Sequence, residues 1–385
     1  MSQVTSEVNG SPVEMVATTE SAISSSRVVF AGQLRAIAFL SVVIVHWFGI
    51  YSLDHEFISR VTGATTQAEG NAAFYMALLP PLPYFNYGPF GVSIFFLISG
   101  FVISYSVKKK SRFAYLKSRV VRIYPTYIAC SVIMMAIYTI SHYYWGSNPE
   151  ISLTRFLLNA TLLSSIFNYE SIDYVNWTLS IEIKFYLCCA MLYGAIKGAR
   201  ITHVMALPFM IMVLTLVTSH FQIGSSEQGH FSFDALKIEM MYVSYMVLGI
   251  LINFLFEKKI PVGEFIASTF VVALCISISW RVGPQANQFI GTGINYIYGY
   301  IFFFTAFLMN SHFKDNKLMS FLSEISYSFY ALHSVIGYCI LIWLESIGVP
   351  YLYSILIAFV LVMLISCIMY VTIEKKTIML SKKIR

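Results

Sequence analysis

The stretch AGQLRAIAFLSVVIVHW, residues 31–47, decides how this chain is read. It is apolar enough to enter a bilayer, yet it carries Arg35 and His46, eleven positions apart. Ionisable side chains inside a membrane span are costly, so they face the protein interior and mark function. Eleven residues of α-helix advance by about 1100°, within roughly 20° of three full turns, so the two side chains share one face about 16 Å apart along the axis. A cation near one end of a helix, with an imidazole about half a membrane further on, suits one elongated ligand touched at two points.

The rest of the chain agrees with a membrane reading. Of 385 residues, 57% are hydrophobic and only 11% charged, against about 25% charged in an ordinary globular protein. Mean hydropathy is +0.71. The aromatic share of 16% fits interfacial Tyr and Trp belts. The expected fold is all-α: a polytopic membrane protein of about ten transmembrane helices, forming one domain over residues 29–375. A polar, Ser/Thr-rich tail over 1–28 precedes it and a basic tail over 376–385 follows. The six cysteines fall inside apolar segments with no CxxC pair, so neither a disulfide framework nor a metal site is expected.

A span takes about 20 mostly apolar residues. Ten segments qualify: 29–50, 88–107, 124–144, 177–197, 201–219, 235–256, 262–280, 289–309, 321–344 and 351–373. The shorter stretch 152–168, with Arg155 and Asn159, reads as re-entrant or interfacial. The net charge of +6 is no nucleic-acid signal, because its distribution is topological. The connection 108–123 is strongly basic, and so are Lys197 with Arg200, Lys258 with Lys259, Lys314 with Lys317, and the C-terminal tail. The intervening connections hold few Lys or Arg. The positive-inside rule puts the basic set, and with it both termini, in the cytoplasm. Arg35, Arg119 and Arg122 then lie toward the cytoplasm, while His46, Glu182 and His333 share a depth toward the outside.

These residues carry a resemblance. The chain is similar to the acyltransferase 3 family of integral membrane acyltransferases. The similarity rests on the Arg-x10-His of the first span, GVSIFFLISGFVIS in the second and SRVVRIYP entering the third. It continues in NWTLSIEIKFY opening the fourth and ISYSFYALH in the ninth, all in the family's order. Many members read Asp-Gly-Leu-Arg where this chain reads Gly32-Gln33-Leu34-Arg35, so the acid near Arg35 is missing. The resemblance implies transfer of an acyl group, commonly acetyl, from acyl-CoA (acetyl-CoA foremost) to a hydroxyl of a carbohydrate or glycolipid acceptor. A bacterial cytoplasmic (inner) membrane is the implied setting, with O-antigen or exopolysaccharide among the implied acceptors.

The residue types fit that chemistry. Acyl transfer needs a base for the hydroxyl proton, a grip on the donor and a polar group for the tetrahedral intermediate. His46 is the expected base, with Glu182 orienting it. Arg35, Arg119 and Arg122 suit phosphates of the donor, since guanidinium groups bind phosphate bidentately and stay charged. Tyr330 and His333 make a supporting Y-x-x-H pair on one helical face, and Trp177 is a candidate sugar-stacking ring. Plainer readings stand beside these: a core histidine, positive-inside arginines, helix–helix hydrogen bonds and an interfacial tryptophan. A transporter or exporter of a polysaccharide or small solute is the alternative function, since intramembrane charges suit transport too.

Overall fold

The computed structural model describes residues 29–65, 69–224 and 227–384. The tail expected over 1–28 lies outside them. Among the described residues every regular element is a helix. Ten of the helices correspond to the expected spans: α1 Val29–Leu53, α2 Tyr87–Lys109, α3 Arg112–Tyr144, α4 Trp177–Met191, α5 Ile201–His220, α6 Phe233–Phe256, α7 Val262–Val282, α8 Gly293–Leu308, α9 Lys317–Ser346 and α10 Tyr351–Lys383. Their starts follow local chemistry. Asn86, Ser111, Ser232 and Asn316 each accept a backbone N–H at the head of α2, α3, α6 and α9, satisfying donors that a helix start leaves unpaired.

Eight of the ten are long and apolar enough to cross a bilayer. The other two are α8, of 16 residues, and α4, of 15 residues. The segment 177–197 is therefore not one continuous span: it breaks at Leu192 into α4 and a short helix, Tyr193–Lys197. At about 1.5 Å per residue α4 is about 22 Å long, short of a hydrocarbon core of about 30 Å. Its last turn is tied to the start of α3, where Arg112 Nε donates to Ala190 O at 2.5 Å. Its first residue, Trp177, packs edge-on to Phe96 in the middle of α2. The helix thus begins deep in the bundle rather than at the outer surface. A second difference concerns the third span, expected over 124–144: α3 starts at Arg112, so the basic stretch bearing Arg119 and Arg122 is helical and Pro125 lies inside the helix. The stretch 152–168 holds an eight-residue helix, Leu153–Ala160, and a 3₁₀ turn, Ser165–Phe167.

Two buried apolar clusters organise the bundle. One joins α2, α4, α5, α6, α7 and α8, the other joins the middle of α3 with α9 and α10. Helix α1 belongs to both. Phe30, Leu34, Ala38 and Val42 face the first cluster, and Ala36, Phe39, Val43 and Trp47 face the second. At about 100° per residue, Arg35 and His46 fall in the narrow sector between Val42 of one stripe and Phe39 of the other. The two ionisable groups of α1 therefore look into the seam where the clusters meet.

Within the first cluster α2 and α6 are in backbone contact. A Cβ on Gly249 would lie 2.4 Å from Leu97 O, and one on Gly100 would lie 2.0 Å from Met246 O. Such small-residue approaches hold membrane helices together through dispersion and polar contacts, because lipid offers no hydrophobic drive between helices. Two turns further toward the α2 C-terminus, Lys108 pairs with Glu257 just past α6. Gly249→Leu is expected to cost at least about 1–3 kcal/mol through overpacking. The loss will register as a lower thermal unfolding midpoint of the detergent-solubilised protein, whereas the exposed Ile266→Leu will leave it unchanged.

Candidate active site

The seam has two polar ends. At one end stand the arginines. Arg35 on α1 is within electrostatic reach of Arg122, Glu182, Tyr186 and Glu374. Arg119, one turn before Arg122 on α3, is 7% exposed, and its guanidinium lies 5.0 Å from the ring centre of Tyr186 and 5.7 Å from that of Tyr115. Stacked on two rings, it keeps a fixed plane, and its Nε has no hydrogen-bond partner among the described residues. Two carboxylates face these cations. Glu182 Oε1 accepts from Ser99 Oγ at 2.8 Å and from Tyr186 OH at 2.5 Å. Glu374 Oε2 accepts from Ser328 Oγ at 2.5 Å, and its carboxylate is within electrostatic reach of Arg122 and Arg35. Three guanidiniums against two carboxylates leave one net positive charge. Its field reaches outside the bundle. Lys110, in the turn between α2 and α3, holds its proton less tightly than an ordinary lysine, through partial burial first and then the charges of Arg119 and Arg122.

At the other end stand two histidines. His46 Nδ1 lies 2.7 Å from Tyr338 OH, and the two rings are nearly parallel. The His333 ring meets that of His46 edge-to-face, 4.9 Å between centres. His333 Nδ1 is 2.8 Å from the carbonyl of Tyr330, which can only accept, so Nδ1 carries the proton. Its Nε2 is then a buried acceptor with no partner among the described residues. The backbone fixes this end closely. Trp47 Nε1 donates to His333 O at 2.9 Å, over Gly337, where a Cβ would lie 2.3 Å from that nitrogen. His46 itself sits in a π-helical turn, Val45–Ile50. The widened turn loosens the α-ladder, and Tyr351 OH donates to Trp47 O at 2.7 Å within it. Such turns are frequent at functional sites.

The structure lines the seam with the expected residues except Trp177, and with one reassignment. Glu182 stands with the arginines, not beside His46. The reason is the length of α4: because this helix begins inside the bundle and falls short of a full span, a residue five positions in lies deeper than a span starting at the surface would put it. Tyr338 takes the place beside His46. Arg35, Arg119 and Arg122 converge as their charge suggested, and His333 faces His46. Tyr330 is buried one turn below His333, with its OH 3.1 Å from Thr178 Oγ1. Trp177 packs on Phe96 and Tyr242 inside the first cluster.

Four polar partners escaped the sequence reading: Tyr338, Tyr186, Ser99 and Glu374. Tyr186 and Ser99 lie inside motifs already quoted, and Tyr186 follows Glu182 by four residues, a facing position on a helix. Glu374 gave no such signal. Glu239, also unassigned, pairs with Lys184 at 2.8 Å and accepts from Ser165 and Ser180, a closed structural group between α4 and α6.

Helices of this length and hydropathy around an enclosed polar seam define a polytopic membrane protein. The chain belongs to the family described as acyltransferase domain, acyltransferase 3, which it matches over residues 30–371. It is 24% identical over 260 residues to the putative acetyltransferase ORF330 of Acidianus two-tailed virus, spanning 66% of this chain and 74% of that protein. It is 26% identical over 172 residues to the acyltransferase MdmB of Streptomyces mycarofaciens, spanning 42% of this chain and 41% of that protein. No solved structure matches the chain. The protein is a membrane-embedded, acyl-transferring enzyme.

Tyr338→Phe keeps the ring but removes the partner of His46 Nδ1. Acyl transfer by this variant is expected to fall about tenfold, the size of one hydrogen bond, with unfolding temperature within error of the parent. An unchanged rate would show that Tyr338 does not set the state of His46.

Proposed function

We propose that this enzyme is an O-acyltransferase of a bacterial cytoplasmic (inner) membrane. It moves an acyl group, acetyl foremost, from cytoplasmic acyl-CoA to a hydroxyl of an extracytoplasmic carbohydrate such as O-antigen or exopolysaccharide. One observation carries the reading. A cluster of three guanidiniums, net positive and with an unpartnered donor in Arg119, shares a seam with a histidine centre, and Arg35 and His46 stand about 16 Å apart on one helix. Coenzyme A has that build: a phosphorylated head and a long thin arm ending in a thioester.

In this mechanism Arg35, Arg119 and Arg122 hold the phosphates, and the arm runs along the α1 face toward His46. The tautomer with Nδ1–H directed at the Tyr338 oxygen leaves His46 Nε2 as a base. Nε2 takes the proton of the acceptor hydroxyl as its oxygen attacks the thioester carbonyl. A C–O bond forms, the tetrahedral intermediate collapses, and the C–S bond breaks. The imidazolium returns its proton to the departing thiolate, so free thiol and ester result. His333, protonated on Nδ1 and open on Nε2, accepts a second hydrogen bond from the acceptor or from the imidazolium of His46. Glu182 and Glu374 keep the guanidiniums in place when no phosphate is bound. They do the work of the acid absent at Gly32 and Gln33.

The test supplies labelled acetyl-CoA to sealed inside-out vesicles containing the protein and an acceptor glycan. Label is expected on the glycan. His46→Ala should lower transfer by about 10²–10⁴-fold, the usual contribution of a positioned base, while the protein stays folded in the membrane. Retained transfer would remove His46 from the mechanism. Movement of glycan without dependence on acyl-CoA would overturn the enzyme reading in favour of export. Arg119→Lys keeps the charge but loses the planar fork stacked on Tyr186. A rise of about tenfold in KM for acetyl-CoA with a smaller change in kcat is expected, the size of one charge-assisted hydrogen bond.

A further inference from the structure

Between the two polar ends of the seam lies an aromatic level that neither uses. Its position follows from helix register. Helix α2 runs antiparallel to α1: Gly88 faces Val45, and Gly91 faces Ala38 and Val42. One turn further along the same face comes Phe95, and one turn beyond it Ser99, which donates to Glu182 in the arginine cluster. Phe95 is therefore level with the part of α1 between His46 and Arg35. Helix α9 gives the same order independently. Tyr327 lies at the cluster, with its OH donating to Ile123 O of α3 at 3.1 Å. Tyr330 follows one turn on, and His333 after it faces His46. Phe95 and Tyr330 meet edge-to-face at 5.5 Å between ring centres. Phe95 is half-buried and packs against both apolar clusters, so its ring spans the seam. Tyr330 is 7% exposed and anchored to Thr178 at the head of α4.

We infer that Phe95 and Tyr330 form a collar between the phosphate end and the histidine end, and that Phe95 sets the width of acyl group the enzyme transfers. The inference rests on the acyl-CoA reading above. The acyl group enters ahead of the thin thioester arm and passes the collar to reach His46. A narrow acyl group such as acetyl passes, a branched or ring-bearing one meets the Phe95 ring, and with the arm in place water from the cytoplasmic side is kept from the thioester. Tyr330 is held by a hydrogen bond, whereas Phe95 has no polar tie and is the ring whose removal opens the level.

The experiment compares the parent, Phe95→Ala and Phe95→Leu, purified in detergent or reconstituted, in three measurements. These are equilibrium binding of acetyl-CoA, transfer from acetyl-, isobutyryl- and benzoyl-CoA to a glycan acceptor, and acceptor-independent release of free thiol. Binding of acetyl-CoA is expected within about threefold in all three proteins, since the phosphate end is untouched. Phe95→Ala should raise the ratio of benzoyl to acetyl transfer by about tenfold or more, the order of discrimination an apolar site gives between groups differing by a few carbons. Phe95→Leu should lie between. Phe95→Ala should also hydrolyse acetyl-CoA without acceptor, water replacing the hydroxyl and acetate with free thiol as products. Binding retained with an unchanged benzoyl-to-acetyl ratio and no added hydrolysis would overturn the collar and leave the donor reading intact. Failure of the parent to bind acetyl-CoA would overturn the donor reading and the collar with it.

Discussion

The cost of holding guanidinium groups inside a bilayer governs this structure. A charge moved into a low-dielectric medium loses several kcal/mol even after relaxation, and three such charges converge here. Their compensation comes from several chain regions at once: Glu182 on α4, Glu374 on α10, and the ring faces of Tyr115 and Tyr186 on α3 and α4. No local segment could supply it. The arginine end therefore fixes how α1, α3, α4 and α10 approach one another, and the seam exists because those helices cannot close over it with apolar side chains. The positive charge left over distinguishes the arrangement from a closed ion-pair network, as the proposed grip on a phosphorylated donor requires.

The two clusters divide labour around that seam. The cluster containing α2 and α6 is knitted by glycine contacts and by Lys108 with Glu257, so its backbone positions are rigid. It presents Phe95 and Ser99 at set depths. The cluster containing α9 and α10 presents Tyr327, Tyr330, His333 and Tyr338 on one helix, like rungs. Helix α1 lies between them and contributes Arg35 and His46 from the sector that neither cluster covers. All of these side chains stand on helices rather than on loops, which holds their mutual geometry closely.

Much of this was legible in the sequence. Hydropathy located the helices because unsatisfied backbone groups are so costly in lipid that spans must be long, apolar and helical. The Arg35–His46 spacing exposed the seam because a helix has a fixed turn, and positive charge pointed to Arg119 and Arg122. The failures are equally physical. Glu182 was placed beside His46 on the assumption that its helix crosses the full bilayer, and the length of α4 depends on the buried segment before it, where Asn159, Asp173 and Asn176 bind one another and Tyr127. Glu374 lies some 340 positions from Arg35 in the chain, near the end of the last helix, and looked like any interfacial acid. Tyr338 is one tyrosine among 26, and only the fold distinguishes it.

The two π-helical stretches, Val45–Ile50 around His46 and Tyr370–Glu374 ending on Glu374, have a meaning for how such a site could arise. A π turn holds one residue more than the α turn it replaces. The wider turn takes in that residue locally, so losing it would restore a regular helix and leave what lies beyond nearly in place, whereas the same loss from a regular α turn would swing everything beyond by about 100°. Tyr51, whose OH donates to Glu345 at 2.7 Å, would then keep its partner. The second stretch would likewise give up a residue without turning the basic end of α10. Both ends of the seam thus stand where the chain holds one residue more than the helix needs. A single-residue insertion is a route by which side chains of the site could be re-aimed within helices whose packing was already set.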